Sequence, residues 1–196
     1  MKVINIFGSP GSGKTTFSAG LFAFAKRRGL LIEYTPEFAK DIVLSSNFEA
    51  LGCQPYVVGE QIYRLHRLRG QFDYVINDSP ILLGAVYNER QKEENKYGRY
   101  ECISGIQSQL TSFSESVIDM FQQFDNTNYM LKLPSMGHYE DAGRAHNREE
   151  SLEIQMEILR LMNYYSIPYI VIDQYDKNIE AIYENILVET EAHYET

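Results

Sequence analysis

Short apolar runs alternate along the chain with longer stretches in which apolar residues recur every three or four positions. The runs at 2–7 (KVINIF), 30–34 (LLIEY), 72–77 (FDYVIN), 128–133 (NYMLKL) and 168–173 (PYIVID) have the length of buried strands. Ile106, Leu110, Phe113, Val117, Met120, Phe121 and Phe124 share one helical stripe, which predicts a helix over 105–124. Ile154, Ile158, Leu161, Met162 and Tyr165 predict another over 148–165. Asn147 stands where that helix should start, with Glu150 three residues on, the spacing of a capping box. Strands separated by helices predict an α/β fold with a five-stranded, mainly parallel sheet, here as one domain over 1–196.

Two segments follow neither period. Residues 88–101 (NERQKEENKYGRYE) mix both signs of charge without a stripe and read as a solvated helix or mobile loop. Residues 134–146 (PSMGHYEDAGRAH) carry Pro134, Gly137 and Gly143 between a strand and a helix. A connection of that length suggests a lid, spanning about 134–148 if the helix start is included. His138, Tyr139 and His146 have no metal-ligand spacing and read as ordinary residues of that lid.

Composition narrows the class. The chain has 196 residues, 44% of them hydrophobic, enough to bury a real core. Its formal net charge is −9, which argues against a protein held on nucleic acid by a basic field, although a local basic groove remains compatible with it. Only Cys53 and Cys102 are present, without C-x-x-C spacing, so two buried thiols in a reducing, cytoplasmic setting are expected. The first apolar run is too short for a signal-peptide core, and no stretch approaches the ~18 apolar residues of a membrane span.

The sharpest motif is Gly8-Ser9-Pro10-Gly11-Ser12-Gly13-Lys14-Thr15, which fits G-x-x-x-x-G-K-[ST] at every fixed position. It lies directly between the first predicted strand and a helix that continues with Thr16. Glycines let the backbone turn its N–H groups towards a phosphate, the helix terminus adds its positive pole, and Lys14 adds a cation. Thr15 is placed to offer its hydroxyl to Mg²⁺.

Carboxylates follow at two strand ends, where ligands of open α/β sheets bind. Glu37, in TPEFAKD, could take a proton from an attacking hydroxyl, or simply favour the first turn of a helix beginning at Pro36. Asp78, in NDSP, could hold the Mg²⁺ shell or orient an acceptor, or cap a helix ahead of Pro80. Asp78 is followed by Ser79 rather than by an acid, which disfavours a remodelling motor. The chain also lacks the N-K-x-D and D-x-x-G motifs of regulatory GTPases. Arg144 and Arg148 are candidates to cover transition-state charge, sharing one face if the helix already includes residue 144. A helix between Gln54 and Arg69 could present Gln61 and Arg64 to an acceptor, although ordinary surface charges are the simpler reading.

Together these residues resemble a family of small P-loop kinase-like proteins common in bacteriophages, related in outline to nucleoside, nucleotide and ribosylnicotinamide kinases. The resemblance is carried by Ile6 to Thr15, Glu37-Phe38-Ala39-Lys40-Asp41, Asp73 to Leu83 with Tyr87, and Tyr139 with Gly143-Arg144. It implies a three-layer P-loop kinase fold using ATP with Mg²⁺, with Lys14 and Thr15 on the nucleotide, Glu37 or Asp78 near the acceptor and Arg144 in the lid. Some members resemble hydroxymethyluracil DNA kinases, which makes the hydroxymethyl group of a modified base in phage DNA the favoured acceptor. A kinase of free nucleosides or nucleotides is the nearest alternative, and a P-loop ATPase or nucleotide-binding regulator without a dedicated acceptor is the other.

Overall fold

The computed structural model describes residues 1–95, 110–133, 147–173 and 176–194. Residues 134–146 of the proposed lid, with Arg144, His138, Tyr139 and His146, lie outside the described residues, as do 96–109 with Cys102.

Five strands form the sheet: β1 (Lys2–Phe7), β2 (Ile32–Thr35), β3 (Tyr74–Asn77), β4 (Asp125–Leu131) and β5 (Ile170–Ile172). Their order is β2-β3-β1-β4-β5, and every neighbouring pair is parallel. Eight helices lie in the described residues: α1 (Lys14–Arg27), α2 (Phe38–Leu44), α3 (Phe48–Leu51), α4 (Gln54–His66), α5 (Leu83–Asn95), α6 (Leu110–Gln122), α7 (Arg148–Tyr164) and α8 (Asp176–Tyr194).

Side chains alternate across β1 and divide the core in two. Ile4 and Ile6 pack with Phe17, Leu21 and Ala25 of α1 and with Ile179, Ile182 and Ile186 of α8. Val3 and Phe7 face Leu65 of α4, Val86 of α5, Ile118 and Phe121 of α6, and Ile154 and Ile158 of α7. The sheet is thereby covered on both faces, which explains why β1 and β3 read as nearly continuous apolar runs. The exceptions are amides on the α4–α7 side. Asn5 and Asn77 are register partners across β1 and β3, as are Asn5 and Asn128 across β1 and β4. Gln61 donates to Asn77 (2.9 Å), Asn77 to Asn5 (3.1 Å), Asn5 to Asn128 (3.0 Å), and Asn128 to the Pro168 carbonyl (2.9 Å). Asn5 also donates to Asn126 (2.8 Å). A row of buried amides thus crosses three strands inside an otherwise apolar layer.

Several boundaries depart from the sequence reading. β4 starts at Asp125, three residues before the predicted run, because Asp125, Asn126 and Thr127 pair with Lys2, Val3 and Ile4 despite their polarity. α6 is described from Leu110, so the predicted start at 105 lies outside the described residues. Residues 88–95 continue α5, so of the two readings of that run, helix or loop, they take the helix, and its opening residues pack against other helices. Asn88 is buried and donates to Ser114 of α6 (3.0 Å), while Arg90 is only 14% exposed between Glu157 (2.7 Å) and Glu153 (3.5 Å) of α7. Cys53 is exposed, contrary to the expectation of two buried thiols, because it precedes α4 at the surface.

The capping box is present as read. Asn147 accepts from the Glu150 N–H (3.0 Å), and Glu150 accepts from the Asn147 N–H (2.9 Å). α7 consequently begins at Arg148, with Asn147 extended, so Arg148 does not extend a helix back through residue 144.

Candidate active site

The loop at residues 8–13 leaves the carboxyl end of the central strand and turns into α1. A Cβ on Gly8 would overlap the Ser12 hydroxyl and come within 3.4 Å of Leu131 Cβ, so no larger residue fits that turn. Gly13 caps α1 in the left-handed conformation (φ 84°), which a residue with a Cβ adopts only at a cost. The first helical bond runs from the Phe17 N–H to the Gly13 carbonyl (3.0 Å), leaving the preceding N–H groups directed out of the helix end. No acid occupies the first turn of α1 and Lys26 and Arg27 sit in its last, so the positive pole stays uncompensated.

Within the loop, Lys14 donates to the Ser9 carbonyl (3.1 Å), which also accepts from the Ser12 N–H (3.1 Å). The Ser9 hydroxyl is buried without a partner among the described residues. Pro10 and Gly11 form the outer bend of the loop, and Thr15 and Thr16 are exposed on the first turn of α1. A concave set of amide donors beside one cation is suited to a polyphosphate.

Asp78 follows β3 and is fully buried. Its Oδ2 accepts from the Tyr34 hydroxyl (2.9 Å) and its Oδ1 from Ser18 of α1 (3.5 Å). The Asp78 N–H donates to the Thr35 carbonyl (3.1 Å), tying the ends of β2 and β3 together. Asp78 does not cap a helix, since α5 begins only at Leu83, after the turn at residues 79–82. Burial, reinforced by Asp78, holds the Tyr34 hydroxyl well above its ordinary pKa, so it remains a donor. A carboxylate held by two hydroxyls still has lone pairs for a further partner.

Glu37 occupies the N-cap position of α2, which starts at Phe38 rather than at Pro36. It makes no side-chain cap bond there, and its negative charge, after burial itself, is felt by Tyr87 of α5. Glu37, Tyr87, Asp78 and the Tyr34 hydroxyl therefore gather at the carboxyl ends of β2 and β3. Arg64 is not free to meet an acceptor. It bonds Asp41 (3.0 Å) and Glu60 (3.2 Å), and stacks over Phe38 with its carbon 4.8 Å from the ring centre. Its work is to dock α2, and with it Glu37, against α4. Gln54 and Gln61 each donate their amide to the protein while their Oε1 atoms are buried without a partner among the described residues.

Gln155, Tyr34, Ser18 and Arg90 escaped the sequence reading. Gln155 of α7 accepts from the Ser9 N–H (2.8 Å) and donates to the Leu131 carbonyl (3.2 Å), with nothing in the local sequence to announce it. Arg90 did have a signal. Glu153 and Glu157 stand four apart on one helix face, where like charges repel unless a cation lies between them.

Residues 3–178 match the AAA domain family. The chain belongs to that family. In this member the carboxylate after β3 stands without a following acid, Ser79 taking that place. A comparison with curated protein sequences finds no match. Among solved structures, the deoxyadenosine kinase from M. mycoides with dCMP and a flexible dCDP bound shares the fold, with a TM-score of 0.60 at 19% identity, covering 98% of this chain and 100% of that one. The same enzyme with dCTP gives 0.58 at 18% identity, covering 96% and 100%, and with dATP 0.56 at 18%, covering 95% and 99%. This AAA-family chain thus carries a three-layer α/β fold of the P-loop nucleoside-kinase type.

Proposed function

We propose that this protein is a kinase that moves the γ-phosphoryl group of ATP to a hydroxyl of a free nucleoside or nucleotide. The observation that carries it is the buried Asp78 carboxylate, fixed by Tyr34 and Ser18 beside a phosphate loop that holds Lys14. The loop from Gly8 to Gly13, with Lys14, Thr15 and Thr16 at the opening of α1, binds the triphosphate.

The donor set suits Mg²⁺, which uses one or two protein oxygens together with phosphate oxygens and water. Asp78 and the Thr15 hydroxyl would hold it, and when bound it neutralises charge on the β- and γ-phosphates. Glu37 accepts the acceptor hydroxyl proton as that oxygen bonds to the γ-phosphorus. The bond from the γ-phosphorus to the bridging oxygen breaks, and ADP leaves. Lys14 follows the charge that builds on the transferred group, and Arg148 at the start of α7, with Arg144 in the preceding connection, are the candidates to cover it.

Three observations favour a free acceptor over the modified DNA base. The net charge is −9, which weakens any hold on a DNA backbone. The fold is that of an enzyme with dCMP, dCTP and dATP in its solved structures. The Gln54 and Gln61 carbonyls, buried without partners among the described residues, suit the donors of a small ligand better than a duplex, whose base would have to be flipped out.

The test is transfer from γ-labelled ATP with Mg²⁺ to deoxynucleosides, deoxynucleoside monophosphates, hydroxymethyluracil DNA and thymine DNA in parallel. Label is expected in a free nucleoside or nucleotide, and Lys14→Ala should abolish it. Label confined to hydroxymethyluracil DNA would overturn the acceptor, and phosphate release with every acceptor unlabelled would overturn the kinase reading in favour of an ATPase.

A further inference from the structure

We infer that Gln155 positions the phosphate-binding loop and ties it mechanically to α7, the helix that follows the 134–146 connection. The role in transfer rests on the kinase reading above, whereas the role in nucleotide binding stands without it. Gln155 uses both ends of its amide on backbone. Its Oε1 accepts from the Ser9 N–H (2.8 Å), and its Nε2 donates to the carbonyl of Leu131, the last residue of β4 (3.2 Å).

The residue it grips is the one on which the loop is built. The Ser9 carbonyl carries both the Lys14 ammonium (3.1 Å) and the Ser12 N–H (3.1 Å). Gln155 therefore fixes Ser9 from outside the loop while Lys14 and Ser12 hold it from inside. A shift of α7 relative to β4 is passed to Ser9, and from Ser9 to the cation that must reach the phosphates.

The placement on the helix gives this bridge a second end. Ile154 and Ile158, on either side of Gln155, are fully buried in the core, so α7 is seated there by apolar packing. Arg148 is the first residue of α7. At 100° per residue it lies within about 20° of Gln155 around the axis and about 10 Å along it. The arginine that opens α7 and the glutamine gripping the loop thus belong to one stripe of one helix.

Fluorescently labelled ADP, titrated into the full chain, tests this. Gln155→Leu keeps the bulk of the side chain and removes both hydrogen bonds, and should weaken binding about tenfold. Ile158→Val trims the buried face of the same helix without touching the loop, and should change binding less than about twofold while lowering the unfolding midpoint. Equal affinity in Gln155→Leu and the wild type, or equal weakening by both variants, would overturn the inference.

Gln155→Glu supplies an independent readout. Ionised, it can accept from Ser9 but sets a negative charge against the Leu131 carbonyl and the phosphates. Protonated, it regains a donor and resembles glutamine. Its affinity for ADP should recover between pH 8 and 5 more steeply than that of the wild type, and parallel profiles would overturn the inference. Should the wild type bind ADP yet phosphorylate no acceptor, with Gln155→Leu still weakened, the kinase reading fails and this one holds.

Discussion

Gly8 shows how narrowly a single position can be set. Its absent Cβ is what lets the Ser12 hydroxyl fold over the loop, so Gly8→Ala must push Ser12 and the following N–H groups outward. We expect it to weaken ATP binding by about tenfold or more while lowering the unfolding midpoint only slightly, since the loop contributes little to the core; titration and urea unfolding would check both. Glu37→Gln removes the proton acceptor and keeps the shape, so turnover should fall by roughly a hundredfold or more with ATP affinity nearly unchanged. A comparable loss of affinity would make Glu37 a structural residue. Tyr34 predicts an alkaline limit. Burial and Asp78 raise its pKa in the folded protein, so above about pH 10 the unfolded chain releases its proton first and stability falls as pH rises. Tyr34→Phe should flatten that fall in urea midpoints measured from pH 8 to 11. The loop residues were legible because their spacing encodes a backbone shape. Tyr34 and Gln155 were not, because their importance lies in partners 44 and 146 or fewer positions away across the fold.

At the scale of elements, the helices with a single apolar stripe could be read closely and those bearing paired charges could not. α7 carried both a stripe and a start signal, and it begins and ends within a residue of its predicted bounds. The reciprocal bonds between Asn147 and Glu150 satisfy two backbone donors at its end, so Asn147→Ala should cost about 1 kcal/mol, seen as a lower urea midpoint at constant slope. α5 was harder, because its charges answer to other helices. Arg90 balances Glu153 and Glu157, and Ser114 donates to Glu89 (2.7 Å), so charged residues at the start of that run join α5 to α6 and α7. β4 illustrates the opposite error. Its polar opening residues, judged alone, favour a loop, and only the ladder to β1 makes them a strand.

The whole molecule is a parallel sheet with its central strand leading into the loop, and its chemistry collects at one end because every strand points the same way. Strand-helix alternation made that architecture legible from the sequence. The order of the strands and the buried amide row were not, since both are relations among distant segments. The row sets the cost of disturbing the sheet. Asn5→Leu would strand the Asn77 donor and the Asn126 and Asn128 acceptors in an apolar layer, and should destabilise the protein by about 3 kcal/mol, measured by urea unfolding. Replacing Asn5, Asn77, Asn128 and Gln61 together by apolar residues of similar size leaves far fewer orphans, and should cost much less than the sum of the four single changes. These positions therefore form one unit of inheritance. In the course of descent a lineage can exchange the set or keep it, and any intermediate holding half of it passes through a less stable protein.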